Sequence, residues 1–182
     1  MVQLRAKPRK TVEDYLKLPE GTLAELIEGE ILMSPSPKLL HQRIVSNIYA
    51  ALRLWVKPKG LGLAIVSPLD VHLPSGDVVQ PDVIFVSQAN SGILKDWVRG
   101  APDLLVEVLS PDRPERDRII KRALYERNGV QEYWIVDGEA RAVEILKLER
   151  DRYEPHGYFQ EGDTLASEVV PGLSLPVRQI FE

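Results

Sequence analysis

The sequence predicts a mixed α/β fold, a mixed sheet flanked by helices with a β-hairpin appended, on three observations. Residues 104–136 read strand, helix, strand, an order that favours parallel pairing through a right-handed crossover. Apolar residues recur at helical spacing from about His41 to Val56. Short apolar runs bounded by Gly, Pro and Asp fill much of the remainder, the pattern of strands and turns.

In chain order, Thr11 can cap a short helix through Leu18, with Asp14 completing a capping box and Pro19 stopping the helix. Leu23–Ile27 and Glu30–Met33 flank Glu28-Gly29, which reads as a hairpin turn. Ser34-Pro35-Ser36-Pro37 is a rigid connector. The helix from His41 to Val56 carries Ile44, Ile48, Ala51, Leu52 and Trp55 on one face, and Lys57-Pro58-Lys59-Gly60 ends it. Strands follow at about 61–66, 69–73 and 82–86, with Pro74-Ser75-Gly76-Asp77 as the turn between the last two. Residues 87–101 form a loop or a short helical segment.

Leu104-Leu105-Val106-Glu107-Val108-Leu109 reads as a strand buried on both faces. A helix from about Glu115 to Asn128 comes next, closed by Gly129 in the left-handed region. Val130–Asp137 is another strand with Tyr133-Trp134-Ile135-Val136 at its core, and strands at 141–148 and 153–159 make the appended hairpin. The apolar stretch Val169–Val177 and that hairpin exceed what a catalytic core needs, which points to a homodimer with twofold symmetry.

Bulk properties narrow the function classes. The 182 residues fit one domain, with no internal repeat and no low-complexity segment. No apolar run approaches membrane-spanning length and no signal peptide opens the chain, so a cytoplasmic protein without membrane partners is expected. The absence of cysteine excludes disulfides and thiolate metal sites. A net charge of −4 is unlike a general nucleic-acid binder. Charge is uneven, however: residues 113–127 hold six basic residues against three acidic ones, and Arg5, Lys7, Arg9 and Lys10 open the chain without an acid. A local basic face can meet phosphates in an acidic protein; the plainer reading is a solvated helix face and a frayed terminus.

The chemistry centres on Glu107, an acid in the middle of an apolar strand. Burying an ionised carboxylate costs several kcal/mol unless cations or hydrogen-bond donors meet it. Asp82 follows Pro81 at the head of another apolar run, and Lys121 lies on the helix after Glu107. Two carboxylates on neighbouring strands and one lysine are the minimum for metal-assisted phosphodiester hydrolysis. A strand lysine two residues after the acid would reach the same phosphate, but that position is Leu109. Asp117, Lys121 and Tyr125 share one helical stripe, with Ile119, Ile120, Ala123 and Leu124 on the adjoining face expected to be core. Lys121 then stands at the edge of the buried face, where its long stem can carry the ammonium inward.

Plainer roles exist for each residue. Asp82 alone reads as a turn cap, and Lys121 as an exposed partner of Asp117. Glu25 is either an extra carboxylate at the site or a cross-strand partner for a basic residue. His41 is either a phosphate contact or general base, or a helix cap. Tyr125 either steadies Lys121 by a hydrogen bond or is simply half-buried. His72 and His156 form no metal-ligand spacing with another histidine, and no glycine-rich phosphate loop or serine–histidine triad is present.

Pro81-Asp82-Val83, Ala101-Pro102-Asp103-Leu104, Glu107-Val108-Leu109-Ser110-Pro111, then Asp117, Lys121, Tyr125 and Gly129-Val130-Gln131-Glu132-Tyr133-Trp134-Ile135-Val136-Asp137 together resemble the putative restriction endonuclease family, a branch of the PD-(D/E)XK nuclease superfamily. Leu18-Pro19, Glu25-Leu26-Ile27-Glu28-Gly29-Glu30-Ile31, His41-Gln42 and Pro171-Gly172-Leu173 extend the resemblance over nearly the whole chain. It implies a restriction-endonuclease-like fold over 1–182, a catalytic core at about 41–137, and an active site of Asp82, Glu107 and Lys121, the lysine having moved from strand to helix. It further implies DNA as substrate and Mg²⁺, with Mn²⁺ as a substitute, held by Asp82 and Glu107. Two other readings stay open: a non-catalytic nuclease-fold protein that binds DNA or serves assembly, and a hydrolase of another phosphate ester.

Overall fold

A computed structural model describes residues 8–182. Arg5 and Lys7 of the basic opening lie outside the described residues. Thr11 caps α1 (Val12–Tyr15) through the expected capping box with Asp14. Strands β1 (Ala24–Ile27) and β2 (Glu30–Met33) pair as the expected hairpin. Its turn has positive φ at both Glu28 (53°) and Gly29 (82°), the conformation that matches the twist of the flanking strands. Helix α2 (Leu39–Lys59) starts two residues before His41 and ends at Gly60, whose φ of 63° closes it.

Strands β3 (Gly62–Val66), β4 (Val71–His72), β5 (Val78–Val79) and β6 (Val83–Ser87) follow. The expected hairpin between 69–73 and 82–86 is corrected here. The turn at 74–77 joins β4 to the short strand β5, while β6 belongs to a different sheet. Pro81 accounts for the break, since it has no N–H to carry one ladder into the next. A 3₁₀ segment (Gln88–Ile93) and β7 (Val98–Arg99) occupy the 87–101 region.

Strand β8 (Leu104–Val108) leads through a loop to a π-helical segment (Arg116–Lys121) and α3 (Arg122–Arg127). Strand β9 (Glu132–Asp137) is parallel to β8, and β10 (Ala142–Glu149) with β11 (Arg152–Gln160) forms the appended hairpin. A small ribbon of β12 (Thr164–Ala166) and β13 (Ser174–Pro176), then α4 (Arg178–Phe181), completes the chain.

Two sheets result. The larger has the order β11-β10-β9-β8-β6-β3, and the smaller β2-β1-β5-β4-β7. Alternation along β8 explains its burial on both faces. Leu104, Val106 and Val108 pack with Ile44, Ile48 and Leu52 of α2, whereas Leu105 and Leu109 join Leu124, Tyr125 and residues of the smaller sheet. The larger sheet is thus covered by α2 on one face and by α3 with the smaller sheet on the other.

Two further expectations change. Ile119 and Ile120 are 64% and 44% exposed and Ala123 is exposed, while Asp117, Lys121, Leu124 and Tyr125 are buried. The i, i+4, i+8 stripe of Asp117, Lys121 and Tyr125 holds through the π turn, and it is this ionic side that is buried, not the adjoining one carrying Ile119, Ile120 and Ala123. The apolar stretch 169–177 is not left over for a partner: Val170, Leu173, Leu175 and Val177 are buried in the chain's own core beside α2.

Candidate active site

Strand register brings the two acids together. β6 and β8 are antiparallel with Val83 opposite Val106, which sets Asp82, immediately before β6, opposite Glu107. By alternation Asp82 shares the face of Ile84 and Val86, and Glu107 that of Leu105, the face turned to the smaller sheet. Asp82 Oδ2 accepts the Val108 N–H at 2.8 Å, which ties it across the strand gap. Both acids line one cavity of about 560 Å³.

Glu107 is 4% exposed, and its Oε1 accepts from Lys121 Nζ at 2.8 Å and from the Tyr125 hydroxyl at 2.6 Å. Burial pushes its carboxyl well above the usual range; Lys121 opposes that shift, and the neighbouring Asp117, Asp82 and Glu25 reinforce it. Lys121 Nζ also stands 3.0 Å from Glu25 and 3.7 Å from Asp117. Burial alone would lower its pKa, but Glu107, Glu25 and Asp117 outweigh it and hold the ammonium above its ordinary value. The surface pairing of Lys121 with Asp117 therefore gives way to a buried cluster.

Glu25, on β1, reaches the same cavity from the smaller sheet. Its carboxylate accepts the Gln80 N–H at 2.9 Å and pairs with Arg116 as well as Lys121. Burial would raise its pKa; the two cations and the Gln80 N–H lower it below the ordinary value. Its cationic partners come from the π segment, not from a neighbouring strand. Tyr125 is fully buried, and its hydrogen bond goes to Glu107, not to Lys121. His41 does not cap its helix; Lys38 occupies the N-cap position. Its Nε2 lies 3.2 Å from Asp82 Oδ2, and although burial lowers its pKa, the Asp82 hydrogen bond and charge leave it above the ordinary value.

Residues missed from sequence are Arg116, Gln80 and the buried state of Asp117. Arg116 lay within the basic run, but its partner Glu25 is 91 residues away and nothing local signals the pair. Among the described residues, no group of three or more His, Asp or Glu side chains is arranged to hold a metal ion. The donor set at the cavity is hard oxygen from two opposed carboxylates. That suits Mg²⁺, which keeps several waters and is held by one or two carboxylates.

Residues 12–178 match a protein family described as putative restriction endonuclease. The chain belongs to that family, Uma2. Among solved structures, a putative nuclease belonging to DUF820 from Anabaena variabilis superposes with a TM-score of 0.79 at 24% identity, covering 94% of this chain and 97% of the other. At that identity the likeness speaks for the fold, a mixed α/β nuclease fold with helices on its sheets. No curated protein matches the chain. In this Uma2 chain the position two after the strand acid is Leu109, which packs with Leu124 and Tyr125, and the ammonium at the cavity is supplied by the π segment. No helix among the described residues is long and apolar enough to cross a membrane.

Proposed function

We propose that this chain is a metal-dependent endonuclease that hydrolyses DNA phosphodiester bonds. The observation that supports it most is convergence: Asp82, Glu107 and Lys121 come from three separate elements, yet all line one cavity. Asp82 and Glu107 would hold Mg²⁺, or Mn²⁺ in its place, through carboxylate oxygens. The bound ion would polarise the phosphate and lower the pKa of a coordinated water. Lys121 would donate hydrogen bonds to the attacking water or to phosphate oxygen as charge builds. His41 would steady Asp82, and Tyr125 would steady Glu107. Asp117 and Glu25 would keep the Lys121 ammonium at the cavity floor.

A homodimer belongs to this reading on one ground, that cutting both strands of a duplex takes two sites or two visits. A second reading, a non-catalytic nuclease-fold protein that binds DNA or serves assembly, draws on the ion pairs that Lys121 and Arg116 make with the buried acids. Purified protein with Mg²⁺ or Mn²⁺ and supercoiled plasmid separates the two. Nicking or linearisation that disappears in Glu107→Gln supports the endonuclease; equal plasmid loss in both proteins, or none in either, rejects it.

A further inference from the structure

The basic run at 113–127 is largely consumed inside the molecule. Arg116 pairs with Glu25, Arg118 with Asp137 and Glu144, Lys121 with Glu107 and Glu25, and Arg127 with Glu28 and Asp77. Arg122 reaches the Tyr153 carbonyl and lies away from the cavity. What remains at the cavity is specific. Among the described residues lining it, Lys38 and Arg113 are the cations without an ion-pair partner, and both are exposed. They come from different segments, the proline connector before α2 and the loop after β8, so they reach the rim independently. Asp112 is the acid beside them.

Lys38 has no local reason to stand where it does. It holds the N-cap of α2, a position that favours Ser, Thr, Asp or Asn, and makes no capping hydrogen bond. The first turn of α2 carries no acid, and a cation is disfavoured at that end of a helix dipole. The floor of the cavity also calls for help from the rim. Asp82, Glu107, Glu25 and Asp117 repel an approaching phosphate, and Lys121 is already committed to three of them.

We infer that Lys38 and Arg113 are substrate-binding residues that grip two phosphates of one nucleic-acid strand, holding the strand over the acidic floor. The inference rests on the nuclease reading and deepens it by naming how the substrate is held. It gives the site a short electrostatic footprint. A strand that releases counterions at two phosphates has a log–log salt slope of about −1.4, because single strands contribute about −0.7 per contact. A long basic groove would give a far steeper one.

The test is fluorescence anisotropy of a labelled single strand of about 20 nucleotides, titrated with full-length protein in Ca²⁺ over about 50–200 mM salt. Expected are a slope near −1.4 for wild type and about −0.7 for Lys38→Ala and for Arg113→Ala. Lys57→Ala, an exposed lysine at the far end of α2, serves as the control and keeps the wild-type slope. Wild-type affinity and slope in both rim variants would overturn the assignment, as would a wild-type slope steeper than about −4. Plasmid cleavage in Mg²⁺ by the same preparations reports the nuclease reading separately. A protein that cleaves while its rim variants bind normally loses the rim inference alone. One that binds through the rim without cleaving loses the nuclease reading alone, and one that does neither loses both.

Discussion

Lys121 on the π segment places its ammonium 2.8 Å from Glu107 on β8, and both side chains are almost completely buried. The pair joins a helix to the central strand of the larger sheet and is the chemical core of the cavity.

Lys121→Ala is expected to abolish plasmid cleavage. It also leaves Glu107, Glu25 and Asp117 buried without their shared cation, which costs about 3–5 kcal/mol in metal-free protein. Metal affinity should stay close to wild type or improve, since a competing positive charge is gone. Thermal unfolding with and without Mg²⁺ measures this: the variant should gain more from the metal than wild type does. Wild-type cleavage by the variant would show the lysine to be structural only.

Leu109→Lys combined with Lys121→Ala tests whether helix and strand lysines are interchangeable. Position 109 lies on the Glu107 face and packs with Tyr125, so a lysine stem can run along that surface. Partial return of cleavage above the Lys121→Ala background is expected in a plasmid assay.

Tyr125→Phe removes a 2.6 Å hydrogen bond to Glu107 and leaves the ring packing intact. A loss of about 1 kcal/mol is expected in urea unfolding, since Glu107 Oε1 loses one of its two donors and keeps Lys121. Cleavage should fall far less than in Lys121→Ala.

His41 gives the metal-free protein a pH signature. Burial acts against its charge, but Asp82 raises its folded pKa above the ordinary value of 6.5. Such a group contributes fully below pH 6.5 and loses its contribution as pH rises through the folded value. Unfolding free energy measured in EDTA upward from pH 6.5 should therefore fall more steeply in wild type than in His41→Gln. Parallel curves would remove the ion pair with Asp82 from the account.

Much of this was legible in the sequence, and the reasons are local. Helix α2 announced itself because Ile44, Ile48 and Leu52 repeat at the spacing of a single face. Strand β8 did so because both of its alternating sets are apolar apart from Glu107. Burial of an acid is not sufficient by itself, as Glu132 demonstrates: it is fully buried, yet the Trp134 indole and the Glu168 N–H satisfy it. What distinguishes Glu107 is the company of Asp82 and Lys121, and that depends on register and on a π turn. Register leaves no periodic trace, whereas Lys121 keeps its helical stripe with Asp117 and Tyr125 through the π turn. Ile119 and Ile120 mislead because their apolar character suggests the core, whereas the neighbouring stripe of Asp117, Lys121 and Tyr125 is the buried one.

Glu25 belongs to the smaller sheet, whereas Glu107 and the π segment belong to the larger sheet and its covering helix. The ionic cluster is therefore the mortar of the seam between two layers, and on the proposed function cohesion and chemistry would draw on the same few side chains. A substitution that loosens this joint unseats the ammonium at once, and one that retunes the ammonium weakens the joint. On that reading, selection for a sturdier fold and selection for a different activity could not proceed separately here. Drift in this chain should accumulate at the exposed positions of β11, such as Glu154, Pro155 and Tyr158.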